Sequence, residues 1–264
     1  MNINTLPPWA ILIGTVIIAW LAFHAGMKLG SAAKKRHPDK EKSAPISTIV
    51  GSILSLLAFM LAITFGIVND RYSTRKKLVR DEANAIGTAY LRTDFLTEPQ
   101  HSESAKLFRK YVEIRLAGAR KDDADQMNKD LMETAQIQKQ LWNMAVVNAR
   151  KDTNSHVAGL YVQSLNEVID IHGLRVAVGL KARLPNGFWI LLYCLFISGL
   201  IGVGYHFAIA DSRGSWILPI LALSFAIVFT LISVLDNPES KFIKVSQQPL
   251  IDLQTSIAAD SKTP

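Results

Sequence analysis

The chain has 264 residues, enough for one large or two small soluble domains, but 49% of them are hydrophobic and these gather in four windows. A formal net charge of +7 does not point to nucleic acid here, because Lys and Arg flank apolar windows, where membrane topology or lipid headgroups account for them. Cys194 is the single cysteine, so no intrachain disulfide can form and the redox compartment stays open.

The first window runs from Trp9 to Met27, long enough for the roughly 20 helical residues that cross a hydrocarbon core of about 30 Å. The others run from Ile46 to Val68, Gly187 to Ala210 and Ser215 to Leu235, and none of the four contains Asp, Glu, Lys or Arg. That absence separates a membrane span from a buried soluble helix. No Lys or Arg precedes Trp9 and the apolar run is too long for a cleaved leader, so the first window is expected to stay as a helix. The run KKRHPDKEK, Lys34 to Lys42, lies in a basic linker over 28–45 that is expected to be solvated and to touch headgroups.

From Ile46 to about Phe95 there is no Pro and only three Gly, which predicts one helix of about 50 residues, about 75 Å long, that leaves the membrane carrying RKKLVRDEANAIG outward. Within its span, Ser47, Gly51, Ser55, Ala58, Ala62 and Gly66 form a small face. Such a face suits either close helix packing in lipid or the border of a water-filled path. Beside it, Leu57, Leu61 and Phe65 are spaced four apart; repeated around a ring of subunits they would stack into a hydrophobic constriction that gates by dewetting. Past the span comes a polar junction: Asn69, Arg71, Tyr72, Arg75, Asp81, Glu82, Asn84 and Arg92. Val79, Ala83, Ile86 and Tyr90 make an apolar line through it, and Gly87 suggests that another backbone comes close. If neighbouring subunits bury Asp81, Glu82 and Asn84, then Arg71, Arg75, Arg80 and Arg92 are the nearest partners. The alternatives are a structural ion network and a charged vestibule that selects ions.

The segment 69–186 carries no alternating strand pattern and reads as helices. Breaks are predicted at Thr97 to Pro99, where Thr97 can cap, around Gly118 to Asp125, and at Lys151 to Ser155. Between them lie three apolar stripes: Leu107, Tyr111, Ile114 and Leu116; Leu131, Ile137, Leu141, Met144 and Val147; Leu160, Leu165, Val168, Ile169 and Ile171. In the later spans Gly199, Gly202 and Gly204 read as a packing seam, Pro219 as a local kink, and Trp9, Trp189 and Trp216 as interfacial anchors. The predicted architecture is an all-α integral membrane protein of four transmembrane helices. A first pair lies in 1–68, the helical extramembrane block in 69–186, a second pair in 187–235 and a C-terminal tail in 236–264. Ten Lys and Arg near the span ends on the block side, against seven on the loop side, favour a cytoplasmic block and C-terminus.

GSILSLLAFMLAITF, then RYSTRKKLVRDEANAIGTAYLR, TEP and FRKYVEIRL, with HGLRVAVGLKARLP before the third span and VSQQPLIDL after the fourth, resembles the bestrophin-like membrane proteins of bacteria. The resemblance covers roughly residues 48–255. It extends more loosely to bestrophins, in Asn69 and Tyr72 just past the second span. It implies a pentameric anion or cation channel whose second span lines a narrow neck, falling by position at Leu57, Leu61 and Phe65. The acidic cluster that clasps calcium in the animal channels is missing, so calcium activation is not implied.

The six His show no metal-ligand spacing, and no cofactor is expected. Asp81 and Glu82 point about 100° apart on a helix and cannot face each other as a catalytic pair, so no enzyme is expected. With no intramembrane charge for a proton relay, a coupled transporter is disfavoured too. The expected protein is an ion channel or pore of the bacterial inner membrane, partnered by lipid, inorganic ions and its own copies. The alternative is a non-conducting scaffold or sensor.

Overall fold

The structure, a computed structural model, describes residues 6–36, 43–118, 124–212, 217–238, 240 and 242–260. Most of the linker run beyond Arg36, together with Arg213, Trp216 and Lys241, lies outside the described residues. Among the described residues there is no strand. The helices are α1 (Pro8–Arg36), α2 (Ser43–Leu91), α3 (Gln100–Gly118), α4 (Ala124–Lys151), α5 (His156–Leu174), α6 (Asn186–Ile209), α7 (Ile217–Asp236) and α8 (Gln248–Asp260). Four of them, α1, α2, α6 and α7, contain stretches long and apolar enough to cross a membrane. The fold is therefore that of an all-α membrane protein.

The chain divides into one unit of 1–72 with 183–243 and another of 73–182 with 244–264, the boundary falling inside α2. In the first unit Leu57, Leu61, Trp189, Leu192, Phe196, Leu200 and Phe229 pack into one core. Glycines bring backbones together at its α1–α6 contact. A methyl group added at Gly26 would run into the Ile201 carbonyl, one at Gly204 into the Phe23 carbonyl, and one at Gly30 would stand 2.7 Å from Ala208 Cβ. Close approach of small residues is how helices gain dispersion energy in lipid, where no hydrophobic drive brings them together. Gly199 and Gly202 accommodate Leu54 and Val50 of α2. The predicted glycine seam is thus a seam on two sides.

Three features of the membrane-spanning helices differ from the sequence reading. Helix α1 continues past Met27 to Arg36, where Lys34, Lys35 and Arg36 suit the negative end of the helix dipole and Gly30 still packs on α6. Pro219 lies in the first turn of α7, where its missing N–H costs no helical hydrogen bond, so no kink is required. Trp189 is only 1% exposed, which makes it a core residue, whereas Trp9 at 64% keeps the open position an interfacial anchor needs.

In the second unit the expected breaks appear. Pro99 precedes α3 and accepts from Glu103 N at 3.1 Å, while the Thr97 hydroxyl meets the Gln100 side chain rather than capping a backbone N–H. Ser155 caps α5 by accepting from Ala158 N at 3.2 Å. Val79, Ala83, Ile86 and Tyr90 join Phe108, Tyr111, Leu141, Leu165 and Val168 in one core. Val147, assigned to an apolar stripe, is 51% exposed because it sits on the outer side of α4. Leu250 and Ile257 of α8 enter the same core, so the end of the tail is part of the helical block. The space left by Gly87 is filled by the Leu253 side chain, not by a backbone; a methyl there would stand 3.2 Å from Leu253 Cδ1.

Gly204→Ala should lower the thermal midpoint, since overpacking of this kind costs about 1–3 kcal/mol. Gly14→Ala, with nothing within 4 Å of an added methyl, should leave it unchanged or raise it slightly. Thermal unfolding in detergent, followed by helical circular dichroism, checks the contrast.

Candidate functional site

Two arrangements on α2 stand out, one in each unit. In the first unit, the helix buries Leu57 and Leu61 at 0% and 4% exposure among Trp189, Leu192 and Phe196 of its own chain. Phe65 keeps 37% of its surface. Enclosed on their own chain's core, Leu57 and Leu61 have no open surface from which to form the constriction expected from spacing. What α2 leaves open includes a line of small and polar residues, Thr48, Ser52, Ser55, Ala62, Gly66 and Asn69 with Phe59 in its middle, stepping by four and three, and beside it the apolar Ile49, Leu56 and Ile63. Nothing lies within 4 Å of a methyl built on Gly51 or Gly66. The Ser52 hydroxyl donates to the Thr48 carbonyl at 2.9 Å, which satisfies its proton and leaves its oxygen lone pairs outward. On α1 and α7 the open positions within the apolar stretches are mostly large and apolar, Ile13, Ile17, Trp20, Ile220, Leu223 and Ile227 among them, with Ser224 also open on α7.

At the close of this unit Asp236 is fully buried. Its carboxylate accepts from Leu184 N at 2.9 and 3.0 Å and from Arg71 Nη1 at 3.3 Å. Asp236 ends α7 and was passed over in the sequence as the first polar residue after a span. Tyr72 packs against the same core.

In the second unit Glu82 is fully buried. Arg115 Nε of α3 donates to Glu82 Oε1 at 2.9 Å, Arg175 Nη1 donates to Glu82 Oε2, and His172 Nδ1 of α5 lies 3.7 Å from Oε1. Arg175 also donates through Nη2 to Gln247 Oε1 at 2.7 Å, and the Gln247 carbonyl accepts from Leu250 N and Ile251 N in the first turn of α8. Burial alone would raise the Glu82 carboxyl, but His172, Arg115 and Arg175 together hold it at about 2, below its ordinary 4.5. Burial pushes the Arg175 guanidinium down while Glu82 opposes it, and a guanidinium stays charged throughout. Burial, then the Glu82 charge, push the Tyr111 phenol above its usual range, so it stays neutral and accepts from Gln138 Nε2 at 3.2 Å.

The junction motif is therefore divided. Glu82 takes its partners from α3 and from the segment after α5, not from Arg71, Arg75, Arg80 or Arg92. Asp81 sits half-buried with Arg80 Nε 3.8 Å away, and Asn69 and Asn84 are exposed. Arg92 Nη1 donates to the Leu160 carbonyl at 2.6 Å, and Arg75 is buried. Arg115, His172 and Arg175 were not singled out as site residues; the only signal was that FRKYVEIRL and HGLRVAVGL carry the resemblance. Among the described residues no three His, Cys, Asp or Glu side chains converge as a metal site.

Four apolar helices and a block organised on a buried carboxylate define an integral membrane protein of all-α class. The bestrophin-like domain model matches residues 13–250, and the chain belongs to that family. Among solved structures it is similar to a bacterial bestrophin homologue from Klebsiella pneumoniae carrying a leucine-to-threonine substitution, with TM-score 0.63 and 15% identity over 97% of this chain and 99% of that one. It is also similar to a Klebsiella pneumoniae homologue solved by Zn-SAD phasing, with TM-score 0.58 and 15% identity over 94% of each chain. A membrane protein with a proline-to-alanine substitution gives TM-score 0.63 at 13% identity, over 97% and 99%. No curated protein matches. At these identities the likeness is one of fold.

A carboxyl whose pKa is lowered on folding stabilises the fold fully above its unfolded value, and that contribution is lost as pH falls through the folded value. Glu82 should therefore add stability above about pH 4.5 that disappears by about pH 2. Glu82→Gln, which leaves two buried guanidinium groups uncompensated, should cost about 3–5 kcal/mol near neutral pH, and the deficit relative to the parent should shrink across that window. Thermal midpoints of both proteins between pH 7 and 2 check the sign.

Proposed function

We propose that the protein is an oligomeric ion channel of the bacterial inner membrane, with the open face of α2 bordering the path. The observation that carries this reading is the contrast between exposed faces. Lipid is well matched by the Ile and Trp positions open on α1 and by the Ile and Leu positions open on α7, whereas α2 concentrates small and hydroxyl-bearing positions on its open side, Gly51, Ser52, Ser55, Ala58, Ala62 and Gly66, the kind of face that admits another helix or borders water. Such a face is compatible with a membrane when it meets other copies and water. Phe59, 61% exposed in the middle of that line, is the narrowing residue in this arrangement, with Phe65 at its flank. A ring of α2 helices, five in the arrangement the family resemblance favours, would place one Phe59 per copy at the same depth. The distribution of Lys and Arg supports a cytoplasmic position for 69–186 and the C-terminus.

In liposomes the purified protein should pass ions. Phe59→Ala should raise the flux several-fold and Ser55→Leu should lower it by a similar factor. Leu57→Ala should instead weaken the fold with no gain in flux. Absence of flux for Cl⁻, Na⁺ and K⁺ at every pH and voltage tried would favour a non-conducting scaffold.

A further inference from the structure

In the second unit the contact between Glu82 and His172 fixes which way two helices face. Side chains on a helix advance about 100° per residue, so groups two positions apart point about 200° apart. Arg80 therefore points away from Glu82, and Asp170 away from His172. Lys77 and Glu167, each five positions before the contact residue, lie beside Arg80 and Asp170. All four are exposed, Arg80 with 64% of its side chain open. Since Glu82 and His172 approach within 3.7 Å, the Lys77–Arg80 face and the Glu167–Asp170 face look out on opposite sides of the unit. Asp81, 3.8 Å from Arg80, offsets part of the charge on the first face, and Lys77 keeps that face basic. Among the described residues no ion pair engages Lys77, Glu167 or Asp170.

A basic face on one side and an acidic face on the other is the charge pattern of a head-to-tail contact, in which one surface of each copy meets a different surface of the next and the rotation closes a ring. We propose that the Lys77–Arg80 face of α2 docks on the Glu167–Asp170 face of α5 in a second copy of this chain. The proposal rests on the oligomeric reading above and goes beyond it by naming the surfaces that meet. Charge complementarity sets the occupant: the two faces match each other, and two like faces repel.

Native mass measurement in mild detergent tests it. Lys77→Glu with Arg80→Glu, and separately Glu167→Lys with Asp170→Lys, should each shift the assembly toward single chains, raising the dissociation constant at least tenfold. The fourfold variant carrying both exchanges should regain the parental mass. Should the reversed charges cost helical circular dichroism, Lys77→Gln with Arg80→Gln gives the milder variant, expected to weaken the assembly in the same direction. The proposal is overturned if the double variants keep the parental mass, or if the fourfold variant stays dissociated while folded. A parent that runs as a single chain sinks the channel reading as well, whereas a conducting oligomer indifferent to these exchanges sinks only this interface.

Discussion

A carboxylate cut off from water constrains half of this molecule. Leaving Glu82 unpaired in the core would cost several kcal/mol, so its position fixes where cations must come from. Arg115 and Arg175 supply them, one from α3 and one from the helical segment that continues α5. The two guanidinium groups bring more positive charge than Glu82 removes, and their side chains keep 11% and 13% of their surface open to solvent. Gln247 accepts from Arg175, and the backbone at Gln247 then opens α8. The last helix is thus linked to the C-terminal part of α2 through two polar residues, with Leu250 and Ile257 adding apolar burial.

The same carboxylate sets the orientation of α2 along its own axis. With Glu82 inward, Val79, Ala83 and Ile86 must also be inward and Arg80 and Asn84 outward, because helical geometry leaves no other choice. Adjacent charges of like sign, Asp81 and Glu82, end in opposite situations: one half-exposed beside Arg80, the other sealed.

Hydrophobic periodicity located the elements well. The charge-free windows became helices, the unbroken run from Ile46 became α2, and Ser155 and Pro99 marked real starts, since each of these signals is local. Facing was harder. Leu57, Leu61 and Phe65 form an apolar line beside a small line, and in a span both core and lipid accept apolar residues, so sequence alone did not say which line was enclosed. The hub at Glu82 was harder still. Its partners lie 33 and 93 positions away, a pairing that only the tertiary fold creates. A buried Glu82 needs cations, but along the chain only the nearby arginines are in evidence, because sequence shows proximity and not tertiary contact.

The glycines of the apolar helices fall into two groups, enclosed and open. On α1 and α6, Gly26, Gly30 and Gly204 are occupied: each admits a neighbouring backbone or methyl that a larger residue would displace. On α2, a methyl built on Gly51 or Gly66 would meet nothing within 4 Å, as at Gly14 of α1 and Gly187 of α6. A glycine inside a helix costs about 1 kcal/mol relative to alanine. At Gly26 and Gly204 the close contact of two helices offsets that cost within the chain. At Gly51 and Gly66 no contact within the chain does, and these glycines share the exposed side of the helix with Ser52, Ser55 and Asn69. If their cost has a compensation, it lies outside the single chain, in a second α2 at close range or in the width of a path that a larger side chain would narrow.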